Sequence, residues 1–316
     1  MPLVVPLIVS GDSRPPQSQR FLSDADHFAM LYNWPEAASR YAQAESIFMQ
    51  EGDTRNALLA RLGYFWTMAD AGVSPSVVEE VGRHLEDPVV RSDPQLLLRA
   101  LVTKAVLDRN SNELTSRGLW EQILELANRT DQPWEARAKA EIGQILYLDG
   151  DIKTAAEMLR DAIVTQYFWG DFGAALHYTA MVGNGFVEAG QPEAGLQYSN
   201  TAIRLNSLVP DRGFPYLADQ GKVRALFALD RAAEAEAILS EVIARAREEK
   251  NHFALSQLLV VAGVGAAPRD SAGAVANLAE AAAMSEASGF HHIYAWSAFE
   301  LARVHRETGN LDGAEV

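Results

Sequence analysis

A glycine recurs at one point of an apolar helical pattern, and its spacing constrains this chain more than any other feature of the sequence. Gly143, Gly183 and Gly263 are separated by 40 and 80 residues, and Val223 occupies the corresponding position between them. Self-similarity at periods of about 20 to 50 residues is the signature of repeat architectures. The sequence therefore predicts a stack of similar units, each packed on its neighbours, rather than a fold around one central core.

Each unit continues through a turn into a second helix, in which a small residue is followed by others at +4 and +7. This spacing defines one face of an α-helix and differs from the alternation of a half-buried strand. Outside the first ten positions no alternating run flanked by turn residues occurs, so an all-α fold is predicted. The four sets are Ala155, Leu159 and Ala162; Gly195, Ser199 and Ala202; Ala235, Leu239 and Val242; and Val275, Ala279 and Ala282.

These units resemble the tetratricopeptide repeat (TPR), in which a small residue of the first helix lets the second helix of the same hairpin approach closely. The family's consensus tryptophan and its closing proline are both absent from residues 131–316, the part of the chain that the resemblance covers. The resemblance implies a right-handed α-solenoid with long helices, as in bacterial TPR-containing signalling proteins. The matching residues are Ile142, Gly143, Leu146 and Gly150-Asp151 in one unit, and Val182, Gly183, Phe186 and Gly190-Gln191-Pro192-Glu193 in the next.

Three regions are expected along the chain. Residues 1–20 are predicted to be a flexible leader, because residues 10–20 have the composition of a tail and no periodicity. Residues 21–130 are interpreted as two to three divergent hairpins, and residues 131–316 as the regular array. Gly309-Asn310 repeats the turn at Gly150-Asp151 just before the sequence stops, so we expect the array to be truncated there. Its uncovered last helix would be a surface for self-association.

Charge and cysteine content exclude several classes of function. The chain has 27 basic and 42 acidic residues, a net charge of −15, which repels nucleic acids and acidic membrane surfaces and favours basic partners. The absence of cysteine excludes disulfides, thiolate metal sites and cysteine nucleophiles. The apolar stretch Leu3 to Val9 is short, is interrupted by Pro6 and follows no basic residue. These features favour the cytoplasm, and leave an exported or periplasmic location open if an upstream signal is missing.

The motifs that suggest chemistry each have a simpler interpretation. Gly183-Asn184-Gly185 lacks the preceding strand and the third glycine of a nucleotide loop, and Asp149-Gly150-Asp151 is followed by Lys153 and Ala155 where a calcium loop needs oxygen ligands. His291-His292 has no His, Asp or Glu four residues away. We therefore expect no metal, no cofactor and no catalytic residue, although a triad assembled in space stays open.

An aromatic cluster, Tyr167-Phe168-Trp169-Gly170-Asp171-Phe172, lies where one unit ends and the next begins. Such rings usually bury large areas, which favours a packing contact between units. The alternative is an exposed anchor for a partner's side chain. Exposure of Trp169 separates the two, and the same choice applies to Tyr294 and Trp296.

The first helices of hairpins line the concave face in this repeat class, so the resemblance assigns inner-face positions unit by unit. Amides and guanidinium groups at such positions bind peptide backbone and carboxylates, and aromatic rings add apolar contact. A solvated polar face without any ligand is the competing interpretation. The candidate binding residues are Arg137, Gln144 and Tyr147; His177, Asn184 and Glu188; Gln220, Arg224 and Phe227; and Gln257, followed by Val264.

Three functions are compatible with this pattern. The favoured hypothesis is a non-enzymatic scaffold that binds a protein or peptide segment, as the sensory or docking region of a larger bacterial signalling protein. The alternative is a regulator whose solenoid senses a small molecule such as a saccharide, which a compact aromatic pocket with convergent polar groups would favour. An enzyme would need a perturbed acid, base or nucleophile in a closed cleft, and no sequence motif indicates one.

Overall fold

The computed structural model of the chain describes residues 15–70, 72, 74–109, 113–127 and 132–310. All regular secondary structure in these ranges is helical, and the predicted right-handed α-solenoid is confirmed. The helices are α1 (Gln17–Met30), α2 (Trp34–Glu51), α3 (Thr54–Thr67), α4 (Pro75–Glu86), α5 (Pro88–Ser92), α6 (Pro94–Asp108), α7 (Glu113–Ala127), α8 (Gln132–Leu148), α9 (Ile152–Trp169), α10 (Phe172–Glu188), α11 (Pro192–Asn206), α12 (Tyr216–Ala228), α13 (Ala232–Glu248), α14 (His252–Ala266), α15 (Ser271–Ser288) and α16 (His291–Glu307).

Short turns set the ends of the helices in the regular array. The side chain of Asp151 caps α9 by accepting a hydrogen bond from the backbone N–H of Thr154, at 3.2 Å. The same helix ends at Gly170, whose φ of +78° lies in the left-handed region that glycine adopts without strain. Asp171 follows immediately and caps α10 through the N–H of Ala174. Helices α9 and α10 are therefore joined by a connection of two residues, Gly170 and Asp171, which fixes their packing.

The recurring glycine lies where the two helices of a hairpin meet, as predicted. A Cβ added to Gly143 would stand 3.2 Å from Cγ of Leu159 on α9, and one added to Gly183 would stand 3.1 Å from Cβ of Tyr198 on α11. At Gly263 the corresponding distance to Cγ of Leu278 is only 2.5 Å. Small residues at this position thus let each second helix approach its first helix closely.

The last hairpin departs from the expected register by one residue. Its buried face consists of Ala274, Leu278 and Ala281, whereas Ala279 is exposed, so the predicted set beginning at Val275 is wrong. The cause is an earlier end of the first helix: α14 ends three residues after Gly263, whereas α8 ends five residues after Gly143. Asp270, which caps α15, comes seven residues after Gly263, while Asp151 comes eight residues after Gly143.

The N-terminal region is helical earlier than expected. Helix α1 begins at Gln17, inside the segment expected to be a flexible leader, because Ser18 is buried and its hydroxyl donates to Glu51 on α2 at 2.9 Å. The helix pairs α1–α2 and α6–α7 flank an irregular stretch made of α3, α4 and the short α5. One apolar core runs from α1 into α8, across the boundary expected at residue 130. Residues 1–14 and 311–316, on which the rest of the leader and the truncated end fall, lie outside the described residues.

The superhelix closes on itself through the turn between α1 and α2, residues 30–33. The carbonyl oxygen of Met30 accepts a hydrogen bond from Arg137 on α8 at 2.8 Å. The carbonyl oxygen of Leu31 accepts from Arg212 at 2.6 Å and from the backbone N–H of Gly213 at 3.2 Å. Farther along, the N–H of Phe253 donates to the carbonyl of Asp70 at 2.9 Å. We call this set the closing contacts.

Candidate binding cavity

The concave side of the solenoid encloses a cavity of about 460 Å³, which we call the central cavity. Every residue that lines it comes from, or directly adjoins, the first helix of a pair, namely α6, α8, α10, α12, α14 and α16. A volume of this size falls in the range of small-molecule and peptide side-chain pockets, which is about 300 to 1,000 Å³. The inner-face geometry implied by the repeat pattern is therefore present.

Most of the residues predicted for the concave face meet in the central cavity. They come from four successive first helices, so the cavity joins units that are far apart in the sequence. Whether these side chains bind a ligand stays a prediction. The eight are Gln144, Tyr147, His177, Asn184, Glu188, Gln220, Arg224 and Gln257.

Three predicted residues lie elsewhere, and one of them, Val264, packs against the apolar core of the C-terminal helices. Arg137 is 3% exposed and belongs to the closing contacts, and its guanidinium forms a two-pronged ion pair with Asp171 at 2.6 and 2.8 Å. It is a structural residue, because its donors are used inside the protein. Phe227 points towards the next first helix, where its ring packs against Gly265 and lies 5.6 Å from the guanidinium of Arg269. A position on the inner face of a helix indicates the direction in which a side chain points. Whether that side chain reaches the cavity depends on its contacts with the neighbouring helix.

A ladder of polar side chains crosses three units on the cavity wall. The hydroxyl of Tyr147 donates to Glu188, which also accepts from Arg224 at 2.9 Å. Arg224 reaches the side-chain oxygen of Asn184 at 3.3 Å. Burial and the adjacent carboxylate of Glu188 raise the pKa of Tyr147, so its hydroxyl stays protonated as a donor. Arg224 and Asn184 thus have much of their hydrogen-bonding capacity satisfied by the protein.

His177 forms part of the wall between this cavity and the closing contacts. Its ring stacks on Tyr32 with centroids 4.7 Å apart and planes 8° from parallel. Burial lowers the pKa of His177 well below 6.5, and the positive charges of Arg212, Arg109 and Arg137 act in the same direction. The ring is therefore neutral and serves as a packing surface.

The residues at one end of the cavity are not among those predicted for the concave face, because Arg109 precedes the regular array and His292 and Trp296 lie beyond the last unit to which inner-face positions are assigned. Arg109 follows α6, Phe253 begins α14, and His292 and Trp296 belong to α16. Desolvation and the positive charges of Arg109 and His291 together lower the pKa of His292 to about 4, although part of its side chain is exposed. Two buried polar atoms here, Nε of Arg109 and Oε1 of Gln144, have no hydrogen-bond partner among the described residues.

A second cavity of about 310 Å³ lies between the N-terminal helices and α10 to α13. It has aromatic walls, to which Tyr32, Trp34, Tyr64, Phe214 and Tyr216 contribute. Arg212, a polar residue that lines this cavity, already donates hydrogen bonds within the protein, to the side chain of Asn206 at 2.7 Å and to the carbonyl of Leu31.

The aromatic cluster at the end of α9 is partly exposed. Phe168 is 80% and Trp169 is 53% exposed, so the expectation of a packing contact is wrong for these two rings. They pack edge-to-face on each other, with centroids 5.5 Å apart. Trp296, for which the same choice was open, lines the central cavity instead.

The described ranges contain neither a metal-binding group of side chains nor a membrane-spanning helix. No group of three or more His, Asp or Glu side chains is arranged to hold a metal ion in that part of the chain. None of the helices described there has both the length and the apolar character that crossing a bilayer requires.

Comparison with known proteins shows the fold alone. No protein-family profile and no curated protein sequence matches this chain. Among solved structures 33 chains match, including that of a Rap protein complexed with Competence and Sporulation Factor. The TM-score to this chain is 0.59 at 12% sequence identity, and the match covers 94% of our chain and 74% of the Rap chain. The chain therefore shares an all-helical repeat fold with this Rap protein.

Proposed function

We propose that this chain is a binding scaffold that takes an extended peptide or protein segment into the central cavity. On this proposal it is the sensory or docking region of a bacterial signalling protein. The carrying observation is the cavity itself, which is continuous across several units and is lined by both amide and aromatic side chains. Such a lining suits a peptide, which offers backbone donors and acceptors together with apolar side chains.

The likeness to the Rap protein supports this proposal through the ligand named for that protein, Competence and Sporulation Factor. The polar ladder adds a physical reason. Tyr147, Glu188 and Arg224 hold one another in place, so the wall is already ordered before any ligand arrives. Pre-ordered side chains lose little conformational entropy on binding, which favours affinity.

The test uses a substitution that fills the cavity. Gly185 lines the central cavity, and a Cβ added there meets nothing closer than the hydroxyl of Tyr147 at 3.5 Å. Gly185→Phe is therefore expected to obstruct the cavity while leaving the fold intact. The matched control is Gly118→Phe, since Gly118 on α7 has no atom within 4 Å of an added Cβ.

The probe is a library of random synthetic hexapeptides passed over the immobilised full chain. We expect the parent and Gly118→Phe to enrich a common set of peptides, and Gly185→Phe to bind that set at least about tenfold more weakly. Equal binding by Gly185→Phe, or no enrichment by the parent over bare resin, would overturn the proposal.

The second candidate function, a regulator that senses a small molecule, is favoured by the second cavity with its five aromatic side chains. A panel of saccharides measured by thermal shift tests it. Stabilisation that is the same in the parent and in Gly185→Phe would place such a ligand in the second cavity, away from the central one. No shift with any saccharide would contradict this class.

A further inference from the structure

Arg109 stands out among the arginines that face the interior of the solenoid. Its side chain is 18% exposed, and the one ionic contact that it makes within the described ranges, from Nη2 to Oδ1 of Asp70, is long at 3.5 Å. Its Nε is buried without a hydrogen-bond partner among the described residues. Arg137 and Arg224, by contrast, each contact a carboxylate at 2.9 Å or less.

The carboxylates near Arg109 accept hydrogen bonds from other side chains. Oε1 of Glu141 accepts from the hydroxyl of Tyr178 at 2.8 Å, and Oδ2 of Asp70 accepts from the indole of Trp34 at 2.9 Å. The charges of Glu141 and Asp70 nevertheless raise the pKa of Arg109 against the effect of burial, so its guanidinium stays charged. A buried charge with unused donors is costly unless another acceptor approaches it.

The surroundings of Arg109 define the rest of a ligand. Its guanidinium lies 5.3 Å from the ring centroid of Phe253, and the ring of His292 lies 6.0 Å from the same ring. Ile293 and Trp296 continue this apolar wall inside the cavity. Gln144, which lines the same cavity, offers a buried side-chain oxygen that accepts no hydrogen bond within the described ranges. A ligand that fits this end of the cavity would therefore carry a hydrogen-bond acceptor for Arg109 next to an apolar group, and a hydrogen-bond donor for the side-chain oxygen of Gln144.

We propose that Arg109 marks a carboxylate-binding end of the central cavity, where the carboxylate of a peptide is held next to an apolar side chain. This inference rests on the proposed function and adds the chemistry of the ligand. The planar guanidinium binds a carboxylate through two parallel hydrogen bonds, and a backbone N–H of the same peptide donates to Gln144. The C-terminal carboxylate meets these needs together, since an apolar side chain and a backbone N–H belong to the same residue.

The net charge of −15 points the opposite way, towards basic ligands. Exposed charges act weakly beyond about 8 Å at physiological ionic strength, whereas a contact inside a cavity is screened far less. Arg109 therefore determines which terminal group of the peptide binds in the cavity, and the negative charge of the outer surface affects the association rate.

The experiment compares two libraries of random N-acetylated hexapeptides, one ending in a free carboxylate and one in an amide. The full-length parent is expected to bind the free-acid library at least about tenfold better, as charge-assisted hydrogen bonds allow. Arg109→Gln is expected to remove this preference. The control Arg160→Gln, which removes the same charge from a side chain that is 70% exposed on α9, is expected to keep it.

The outcomes separate the two proposals. Equal binding of both libraries by a parent whose binding Gly185→Phe still abolishes would overturn the carboxylate site and leave peptide binding standing. A preference for the free acid that persists in Arg109→Gln would also overturn the site. Enrichment of Asp or Glu peptides from the amide library, lost in Arg109→Gln, would support the site with an acidic side chain as the source of the carboxylate.

Folding is controlled by a second variant. Arg109→Lys keeps the charge facing Asp70 but loses the planar fork and Nε, so it tests the geometry even if Arg109→Gln fails to fold. We expect Arg109→Lys to retain part of the preference for the free acid and to lose several-fold in affinity. An unchanged affinity in a folded Arg109→Lys would contradict bidentate binding by the guanidinium.

Discussion

From α8 to α16, each hairpin is held by small and apolar residues of its own neighbours, such as Gly143 against Leu159 and Gly263 against Leu278. The closing contacts use arginines and backbone groups instead, and join residues 107 to 183 positions apart, such as Arg137 to Met30 and Phe253 to Asp70. The array therefore follows from a repeated pattern of side-chain size. The closing contacts depend on single polar residues that occur once and follow no period.

The largest effect is expected at the ion pair that anchors the closing contacts. Arg137→Ala leaves Asp171 buried without its cation, and breaking a buried pair by removing one partner costs about 3 to 5 kcal/mol. The measurement is the free energy of unfolding in urea. Arg160→Ala, which breaks an exposed pair with Asp161, is expected to cost less than about 1 kcal/mol. A similar small loss in both variants would mean that the closing contacts contribute little to stability.

The next prediction compares one glycine from each region. A Cβ on Gly173 would stand 1.9 Å from the carbonyl oxygen of Met30, whereas on Gly143 it would stand 3.2 Å from a flexible side chain. We expect Gly173→Ala to cost about 1 to 3 kcal/mol. Gly143→Ala is expected to stay within about 1 kcal/mol of the parent, because the gain in helix propensity opposes the crowding.

Thermal unfolding measures both variants, and hydrogen exchange over residues 26–34 locates the damage. Faster exchange there in Gly173→Ala alone would show that the α1–α2 turn has moved. Equal destabilisation by the two substitutions would contradict the distinction between rigid backbone contacts and adaptable side-chain contacts.

The smallest effect concerns a polar side chain inside the array. Gln166 on α9 is fully buried, and neither polar atom of its side chain has a partner among the described residues. Gln166→Leu is expected to raise the free energy of unfolding by about 1 kcal/mol, since an unsatisfied buried amide is replaced by an apolar group of similar size. The exposed Gln50→Leu serves as control, with an expected change under about 0.5 kcal/mol. A loss of stability in Gln166→Leu would show that the amide is satisfied in solution.

The period of the sequence predicted an all-helical repeat fold, and the resemblance to the tetratricopeptide repeat then predicted most of the concave face. Gln144, Asn184 and Arg224 were placed on that face by counting from one repeat to the next, and all three line the central cavity. The shift of one residue in the last hairpin was not predictable from the period, because it arises from the early end of α14. Arg137 was predicted to line the concave face because its position on the helix does not reveal that its side chain pairs with a residue on another helix.

Arg109 illustrates a different limit. It lies on the divergent part of the chain, where no repeat assigns it to a face, and its position in the cavity depends on the curvature of the solenoid. A single sequence carries no signal for that curvature, which is the sum of small rotations between neighbouring hairpins.

The turn between α1 and α2 has a consequence for how the array can change in length. It contacts Arg137 on α8, Gly173 on α10 and Gly213 before α12, so three successive units are held to one point. An open solenoid tolerates the insertion or deletion of a whole repeat, since each unit contacts only its neighbours. Here an added or lost repeat between α8 and α12 would move at least one of these residues away from the turn. The closing contacts therefore fix the number of repeat units between α8 and α12.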